Sequence, residues 1–379
     1  MSQLLPGSLC TQILADLGAD VIKIENPDGG DGFRSRPPLL NTTSSFFHII
    51  NRNKRSMTLD VKRSEGRDVL LRMVSGADVF LESCIPGLMR HIGLGYENLS
   101  ELNPRLVYCS LTGFGQDGPY KEKIAHDIDF LSIAGMLDLL GEKNGRPVVP
   151  PVQIGGAGGG IWAALGIMAA LLGRGQQGVG QYLDVSILDG LTPFLSLVMS
   201  QYMADGNVPV RGENLLGGGY AFYNVYETKD GAYLSLGCLE EKFWQEFCGA
   251  IGRDDLIEDY HADEPRRSEL VAEVRSIFLE KTRDEWMDLL GRYKVCFSPV
   301  NTLEEALHDP QIRHRGLWFY GNHPTDGRVP QQAFPVRFSL DTPAIQAYAP
   351  NLSAHTAEIL KNLGYGDTDI AGLRKKGII

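Results

Sequence analysis

Short apolar segments alternate with helical segments through the first half of the chain. No other feature of the sequence limits the possible folds as strongly. Strands are predicted at residues 20–25, 56–61, 78–82 and 106–111. Helical periodicity is predicted at residues 9–17 and 65–74. Strands separated by helices form right-handed βαβ units, whose strands are parallel. The predicted fold class is therefore α/β, with a mainly parallel sheet.

The ends of these strands are the expected place for a ligand. Ligands of open parallel sheets bind beyond the carboxyl ends of the strands. The loops that start at Glu25, Glu82 and Thr112 occupy those ends. The chain enters a helix almost at once, so a first strand expected of such a sheet is absent. Either the reading frame begins late or the sheet has one strand fewer.

The alternation of predicted strands and helices ends at about Arg211. Residues 220–227 and 232–236 alternate in polarity around the turn at 229–231, which predicts an antiparallel hairpin. Helices are predicted at 241–251, 268–280 and 283–293. We therefore expect a large domain at 1–200, a smaller α+β domain at 201–325, and a C-terminal segment at 326–379 that returns to the large domain.

A glycine-rich segment at residues 154–160 leads into an apolar helix predicted at 161–172. Such a segment at a helix N-terminus exposes backbone N–H groups to an anion, or it simply packs tightly. Both interpretations remain open. Neither the dinucleotide pattern G-x-G-x-x-G nor the P-loop pattern ending in Gly-Lys-Ser/Thr fits this segment, so both standard phosphate motifs are excluded.

Charge and cysteine content exclude several classes of protein. The chain has 379 residues and a formal net charge of −11, which argues against nucleic acid as a partner. Its 6 cysteines lack metal-ligand spacing, so no metal site is predicted and reduced thiols are expected. No signal peptide is found, and the helix at 161–172 is too short to span a membrane. These features predict a soluble cytoplasmic protein without a membrane segment.

Three groups of polar residues are candidates for chemistry. Arg52, Lys54, Arg55 and Lys62 form a basic cluster, which fits either a nucleotide phosphate or a solvated surface. His126 precedes Asp127 and follows the loop at 113–120, so it is either a structural histidine or a general base. Glu240 follows a predicted strand. Carboxylates there are usually solvated, and a functional role needs independent support.

Many segments of the chain resemble those of the family III CoA-transferases, the group that includes α-methylacyl-CoA racemase. The matching segments are 14–25, 53–56, 86–87, 93–96, 102–106, 112–116 and 178–185. The racemase branch is matched best by residues 126–129, 212–219 and 296–300. The resemblance covers nearly the whole chain. It implies a Rossmann-like large domain, a small domain, and two chains interlocked as a dimer.

The same resemblance assigns roles to individual positions. The transferases use an Asp carboxylate as nucleophile, and the racemases use that Asp together with a His as opposed acid and base. In this chain the family Asp falls on Gly156, which can do neither. His126 and Glu240 match the catalytic pattern of the racemases.

The CoA-binding side of the pattern is matched less completely. Leu59 and Lys62 fit the adenosine side. Arg90, His91 and Gly113 are the further expected contacts. His91 stands where many family members have Arg, and Asn26 likewise replaces an Arg.

Three hypotheses follow. The first is a CoA-transferase that acts on acyl-CoA thioesters and a carboxylic acid, with this chain as the Asp-lacking subunit of a heteromeric enzyme. The second is a racemase-like epimerase that uses His126. The third is a non-catalytic acyl-CoA-binding paralogue. CoA is a substrate in this scheme, no cofactor is expected to be bound permanently, and the assembly is a homodimer or a heteromer with an Asp-bearing paralogue. A dehydrogenase is disfavoured because no glycine fingerprint precedes Glu25.

Overall fold

A computed structural model describes residues 1–340 and 343–379 and has a mixed α/β architecture. The strands are β1 (Val21–Glu25), β2 (Leu39–Leu40), β3 (Thr43–Ser44), β4 (Lys54–Thr58), β5 (Val79–Glu82), β6 (Val107–Thr112), β7 (Tyr182–Ser186), β8 (Tyr223–Glu227), β9 (Tyr233–Gly237), β10 (Phe297–Pro299), β11 (Trp318–His323) and β12 (Gly327–Gln332).

The helices fill most of the intervals between the strands. They are α1 (Leu4–Asp16), α2 (Ser45–Ile50), α3 (Ser64–Val74), α4 (Leu88–His91), α5 (Tyr96–Leu102), α6 (Asp127–Ile133), α7 (Met136–Leu139), α8 (Ile154–Gln177), α9 (Ser196–Asp205), α10 (Glu241–Ile251), α11 (Arg266–Phe278), α12 (Arg283–Leu290), α13 (Leu303–His308), α14 (Pro310–Arg315), α15 (Thr356–Asn362) and α16 (Asp367–Lys375). Short 3₁₀ helices lie at Asp189–Leu195, Asp254–Leu256 and Glu258–His261.

The chain divides by its internal contacts into two units. The first comprises Met1–Ala134, Val152–Pro193 and Pro310–Ile379, and the second comprises Gly135–Pro151 and Phe194–Asp309. This division assigns 135–151 to the second unit and 310–325 to the first. The sequence-based limits at 200 and 325 differ from it, and they stay a prediction about domains.

The first unit contains two groups of parallel strands and two antiparallel pairs, β2 with β3 and β11 with β12. β1 pairs with β4, in register from Val21 opposite Lys54 to Glu25 opposite Thr58. β5, β6 and β7 form a second parallel group with β6 in the centre. β6 is buried along its whole length, as expected for a parallel strand covered on both faces. The antiparallel hairpin of β11 and β12 also belongs to this unit.

The second unit contains the antiparallel sheet β8–β9–β10. Its core combines aliphatic side chains with a group of aromatic rings from the sheet, the segment before it, and α10, α11 and α12. Amphipathic periodicity explains these helices. In α10, for example, Trp244, Phe247 and Cys248 recur at helical spacing and are buried.

The glycine-rich segment is part of a helix, which corrects the sequence-based interpretation of a loop at 154–160 and a helix at 161–172. α8 begins at Ile154 and continues for 24 residues. Its glycines are needed for close packing. A Cβ added at Gly160 would lie 2.6 Å from the carbonyl oxygen of Pro6, and one at Gly159 would lie 2.9 Å from Ile187. The small residues therefore allow α8 to approach α1 and the segment after β7.

The length of α8 also overturns the argument that this segment is too short to span a membrane. α8 is the one helix in the described residues that is long and apolar enough to do so, by length and composition alone. Half of its apolar window is buried inside the protein, and the core helix of a folded domain meets the same criterion.

Charged side chains are buried around the first parallel pair, β1 and β4. The carboxylate of Glu25 accepts two hydrogen bonds of 2.7 Å from Arg34. Lys23 pairs with Asp31 at 2.7 Å. Each of these side chains is less than a tenth exposed. Buried charges are tolerated only when they are paired, as these are.

Candidate active site

The first candidate segment is the start of α6, with His126 directly before it and Asp127 as its first residue. The helix begins at Asp127, directly after the residue that forms its N-cap, His126. The carboxylate of Asp129 accepts a hydrogen bond of 2.9 Å from the backbone N–H of His126, which fixes the direction of the chain at this point. His126 is exposed and Asp127 is half-buried.

The carboxylate of Asp127 points to the N-terminus of α8. Its Oδ1 atom accepts a hydrogen bond of 2.7 Å from the backbone N–H of Gly156. Burial raises the pKa of Asp127, although backbone N–H groups of Gly156, Ile154 and Gly155 act in the opposite direction. A helix N-terminus stabilises an anion, so Asp127 occupies the place at which a negatively charged ligand group would otherwise be favoured.

Gly156 has room for a side chain, unlike its neighbours. It is buried with helical backbone, so no left-handed conformation requires glycine there. A Cβ added at Gly156 would lie 3.6 Å from both Asp127 Oδ1 and Gln153, which is ordinary van der Waals contact. At Gly155 the same atom would lie 3.1 Å from Asp127 Oδ1. The position at which the sequence resemblance places the family Asp is therefore sterically open.

The structure places Asp127, the residue directly after His126, against the backbone N–H of Gly156. The sequence identified His126 and Gly156 by pattern, and it named Asp127 only as a neighbour of His126. The bond between Asp127 and Gly156 joins residues that are 29 positions apart, and no local pattern reports it.

Glu240 belongs to the second unit. It is exposed and forms the N-cap of α10, directly after the turn that follows β9. A catalytic role for Glu240 stays a prediction.

The basic cluster is not a free phosphate-binding surface. Arg52 is buried and bonds the carboxylate of Asp16 at 2.6 Å. Lys54 is buried and donates hydrogen bonds to Ser8, Ile50 and Asn51 over 2.8–2.9 Å. These two cations stabilise the interior, because the carbonyl and carboxylate oxygens around them need donors.

The two other cations of the cluster lie nearer to solvent. Arg55 pairs with Asp20 and with Glu358. Lys62 is exposed, and within the described residues its ammonium group forms no ion pair. Lys62 is therefore the member of the cluster that is best placed to meet a phosphate.

The remaining expected CoA contacts have different surroundings. Leu59 is buried in the core, so its side chain packs inside the protein. Arg90 and His91 are exposed on the short helix α4, and Arg90 pairs with Glu97 at 2.5 Å. Gly113 packs against Phe130, because a Cβ there would lie 2.8 Å from the ring. CoA binding by these residues stays a prediction.

The carboxylates at the strand ends are internal. Glu25 is held by Arg34 and by the hydroxyl of Ser56, so it is not an accessible acid of the kind that binds a ribose. Glu82 accepts a hydrogen bond of 2.5 Å from Ser110, and burial raises its pKa.

A groove of about 750 Å³ lies within the second unit. Much of the racemase-like segment at 212–219 lines it, together with Arg267 and Arg275. The sequence singled out this segment by resemblance and did not predict a groove there.

Comparison with known proteins gives consistent results. The model of the family described as CoA-transferase family III matches residues 1–356. The chain is 32% identical to a succinyl-CoA:glutarate CoA-transferase of Mus musculus, over 100% of this chain and 88% of the relative. It is 34% identical to an α-methylacyl-CoA racemase of Homo sapiens, over 100% of this chain and 95% of the relative.

A solved structure resembles the whole fold. A CAIB/BAIF family protein from Brucella suis superimposes with a TM-score of 0.83 at 31% sequence identity. The match covers 96% of this chain and 97% of that protein.

Proposed function

The chain belongs to CoA-transferase family III, and from this premise we propose that it acts on acyl-CoA thioesters and transfers CoA between carboxylic acids as the Asp-lacking subunit of a heteromeric enzyme. A sister chain of the same fold supplies the Asp that this chain lacks at Gly156. The relatives include both transferases and racemases, so the reaction itself is the subject of the proposal.

The arrangement around Gly156 carries this proposal. In the family, the Asp carboxylate attacks the thioester carbonyl and releases the CoA thiolate, which leaves an acyl anhydride. The thiolate then attacks the aspartyl carbonyl, releases the acyl group as a carboxylate, and forms an aspartyl-CoA thioester. Gly156 offers only a backbone N–H, which is already donated to Asp127. This chain therefore lacks the nucleophile at that place.

Exposed apolar helix surfaces support an assembly of two chains. α9 has no buried residue in its own unit, and Leu197 and Met203 on it are 73% and 78% exposed. On α8, Leu165 and Leu172 are 49% and 77% exposed. Exposed apolar surface of this kind, on each helix taken by itself, is typical of protein–protein interfaces. It fits a homodimer or a heteromer with an Asp-bearing paralogue.

A racemase-like epimerase is the second candidate. His126 begins α6 beside Asp127, whose carboxylate lies next to the position of the missing Asp. In this alternative His126 removes the α-proton of a 2-methylacyl-CoA and Asp127 returns a proton on the other side. The half-buried Asp127, with its raised pKa, is suited to hold that proton.

Restoring the carboxylate tests the transferase proposal. The unmodified chain, incubated alone with succinyl-CoA and a panel of dicarboxylates, should transfer no CoA. Gly156→Asp should create transfer, together with a hydroxylamine-sensitive adduct at position 156 detected by mass spectrometry. Gly156→Asn is the matched control, because it has nearly the same size and no nucleophile.

Repulsion between two carboxylates is the expected obstacle in this experiment. The introduced side chain begins 3.6 Å from Asp127 Oδ1, and two close carboxylates raise the pKa of one of them. The double substitution Gly156→Asp with Asp127→Asn removes this repulsion and should be the more active variant. If both variants fold and bind CoA yet remain inactive, the non-catalytic alternative is favoured.

Isotope exchange tests the epimerase candidate. The unmodified chain in D₂O should exchange the α-proton of a 2-methylacyl-CoA if His126 is a base, and His126→Ala should abolish that exchange. His314→Ala, at another exposed histidine of the first unit, should leave it unchanged. Exchange that survives His126→Ala would assign the base elsewhere.

CoA binding is tested separately from turnover. Lys62→Ala should weaken CoA binding in calorimetry by about 1–3 kcal/mol if the ammonium group holds a phosphate. Lys375→Ala is the matched control, because Lys375 is an exposed lysine in the same unit. Equal effects of the two substitutions would contradict a phosphate contact at Lys62.

A further inference from the structure

Two histidines and an aspartate that are far apart in sequence meet inside the first unit. His48 lies on α2, and His323 and Asp326 lie at the turn between β11 and β12. Their side chains are 1%, 5% and 0% exposed, respectively. One ligand atom of each lies within 4.8 Å of the others. These three residues are the His-His-Asp cluster.

In the described residues, the imidazole of His48 has a carboxylate beside one nitrogen and no hydrogen bond of good geometry at either. Neither Nδ1 nor Nε2 has a hydrogen-bond partner in residues 1–340 and 343–379. The Oδ2 atom of Asp326 lies 3.2 Å from Nε2, but without hydrogen-bond geometry. A buried imidazole without a partner is costly, and such a group needs an explanation.

The two other side chains are oriented by outer contacts at the atom that faces away from His48. His323 Nε2 lies 2.9 Å from the carbonyl oxygen of Ala349, so this nitrogen carries the proton and the lone pair is on Nδ1. Asp326 Oδ1 accepts hydrogen bonds from the N–H and hydroxyl of Thr42 at 2.8 and 3.0 Å. Metal-binding histidines and carboxylates are typically oriented by outer contacts of this kind.

Two of the three distances between the candidate ligand atoms are close to those around a small tetrahedral cation, and all three atoms lie within 4.8 Å of one another. Bonds of 2.0–2.1 Å to a tetrahedral ion place two ligand atoms about 3.4 Å apart. Asp326 Oδ2 lies 3.2 Å from His48 Nε2 and 3.6 Å from His323 Nδ1. His323 Nδ1 also accepts hydrogen bonds from the backbone N–H groups of Asp326 at 3.1 Å and Thr325 at 3.3 Å, and it lies 3.2 Å from the hydroxyl of Thr325. A metal at Nδ1 would replace these contacts.

We propose that the His-His-Asp cluster binds a divalent first-row transition metal, with Zn²⁺ as the best match, through His48, His323 and Asp326. Two imidazoles and one carboxylate are a common donor set for such ions. The ligands are almost fully buried, so the ion acts as a structural link between α2 and the hairpin of β11 and β12. The sequence predicted no metal site, because the ligands do not share a short spacing. The site shares no residue with the candidate active site.

The binding test uses the full chain, stripped with a chelator and then titrated with Zn²⁺ alone. Native mass spectrometry and calorimetry should show one tightly bound Zn²⁺ per chain. The melting temperature should rise with Zn²⁺ concentration, because a ligand that binds the folded state stabilises it. Co²⁺ in place of Zn²⁺ should give the visible absorption of a tetrahedral site with nitrogen and oxygen ligands.

Two variants and one control assign the bound ion to the cluster. Loss of an orienting contact weakens metal binding about 10–100-fold, so loss of a ligand in His48→Ala or Asp326→Asn should weaken it at least about 100-fold. His314→Ala should bind as the unmodified chain does. An unmodified, folded chain that takes up no Zn²⁺ would overturn the proposal, as would binding that persists in His48→Ala. If a variant does not fold, the titration of the unmodified chain and its Co²⁺ spectrum decide the question alone.

Discussion

The two units of the chain build their interiors in opposite ways. In the described residues, every buried Asp, Glu, Lys, Arg and His side chain belongs to the first unit. The second unit buries a single polar residue of the described chain, Thr228. Its core instead stacks aromatic rings, such as Tyr226 on Phe278 with centroids 4.8 Å apart.

This difference corresponds to different demands on the two interiors. Hydrophobic burial is non-directional and stabilises a fold without fixing individual atoms. Paired charges and hydrogen bonds are directional, and a buried polar group without its partner is costly. The first unit therefore holds the strand-end carboxylates and the start of α8 in defined positions, and it should be sensitive to charge removal and to pH.

The largest expected loss in the second unit follows removal of an aromatic ring from its core. Phe278 contacts Tyr226, Phe247 and Trp286, with ring centroids 4.8–5.7 Å apart. Phe278→Ala should lower the free energy of unfolding by about 3–5 kcal/mol. Urea unfolding followed by tryptophan fluorescence measures this, since Trp244 and Trp286 are fully buried in this unit. A loss of stability in Phe278→Ala that changes strongly between pH 5 and 8 would contradict the proposed difference between the two units.

A loss of similar size is expected when one buried charge of the first unit is removed. Arg34 bonds Glu25 and the carbonyl oxygen of Pro350. Arg34→Ala leaves the buried Glu25 without its ion-pair partner, although the hydroxyl of Ser56 still donates to it, so the substitution should cost about 3–5 kcal/mol at neutral pH. Arg253→Ala in the second unit removes a more exposed ion pair with Asp255 and Glu273, and it should cost about 0–1 kcal/mol.

The pH dependence of the Arg34 variant has a defined sign. Burial by itself raises the pKa of Glu25, but the Arg34 guanidinium and neighbouring groups hold it below the usual value. A lowered carboxyl pKa contributes stability at neutral pH, which is lost as the pH falls through the folded-state pKa. The difference in urea midpoint between Arg34→Ala and the unmodified chain should therefore become smaller at acid pH. A constant difference would show that Arg34 acts by packing on Phe47, which its guanidinium covers at 3.8 Å.

The smallest expected effect concerns Asp127 at the candidate active site. Burial raises its pKa, so the folded chain holds this proton more tightly than the unfolded chain does. The contribution of Asp127 to stability should therefore fall as the pH rises from the unfolded-state pKa to the folded-state pKa. Asp127→Asn keeps an acceptor for Gly156 and cannot ionise. Relative to the unmodified chain, Asp127→Asn should gain less than about 1 kcal/mol in free energy of unfolding as the pH rises through this range. The gain is small because Asp127 is only half-buried.

Urea midpoints measured at several pH values check this prediction for Asp127. The urea midpoint of Asp127→Asn should rise relative to that of the unmodified chain from acid to mildly acid pH. At higher pH the difference should stay constant. A difference that grows in the opposite direction would mean that the N–H groups of α8 outweigh burial.

Local patterns predicted most of the elements that surround the candidate site. The strands β1, β5 and β6 lie within one residue of their predicted limits, and α10 matches its prediction. The expected strand at 56–61 is displaced to Lys54–Thr58, although the backbone N–H of Leu59 still bonds Glu25. The hairpin of β11 and β12 was not predicted, and it supplies two ligands of the His-His-Asp cluster.

The sequence by itself determined the family, the alternation of strands and helices, and the absence of a carboxylate at Gly156. These properties are local, because periodicity, motif spacing and residue identity are contained in short segments. Tertiary structure alone decided that the glycines of α8 are helical, that Arg52 and Lys54 are internal, and that Asp127 bonds Gly156. Each of these depends on which distant segments pack together. Burial and pairing are set by those long-range contacts, which short segments of sequence do not specify.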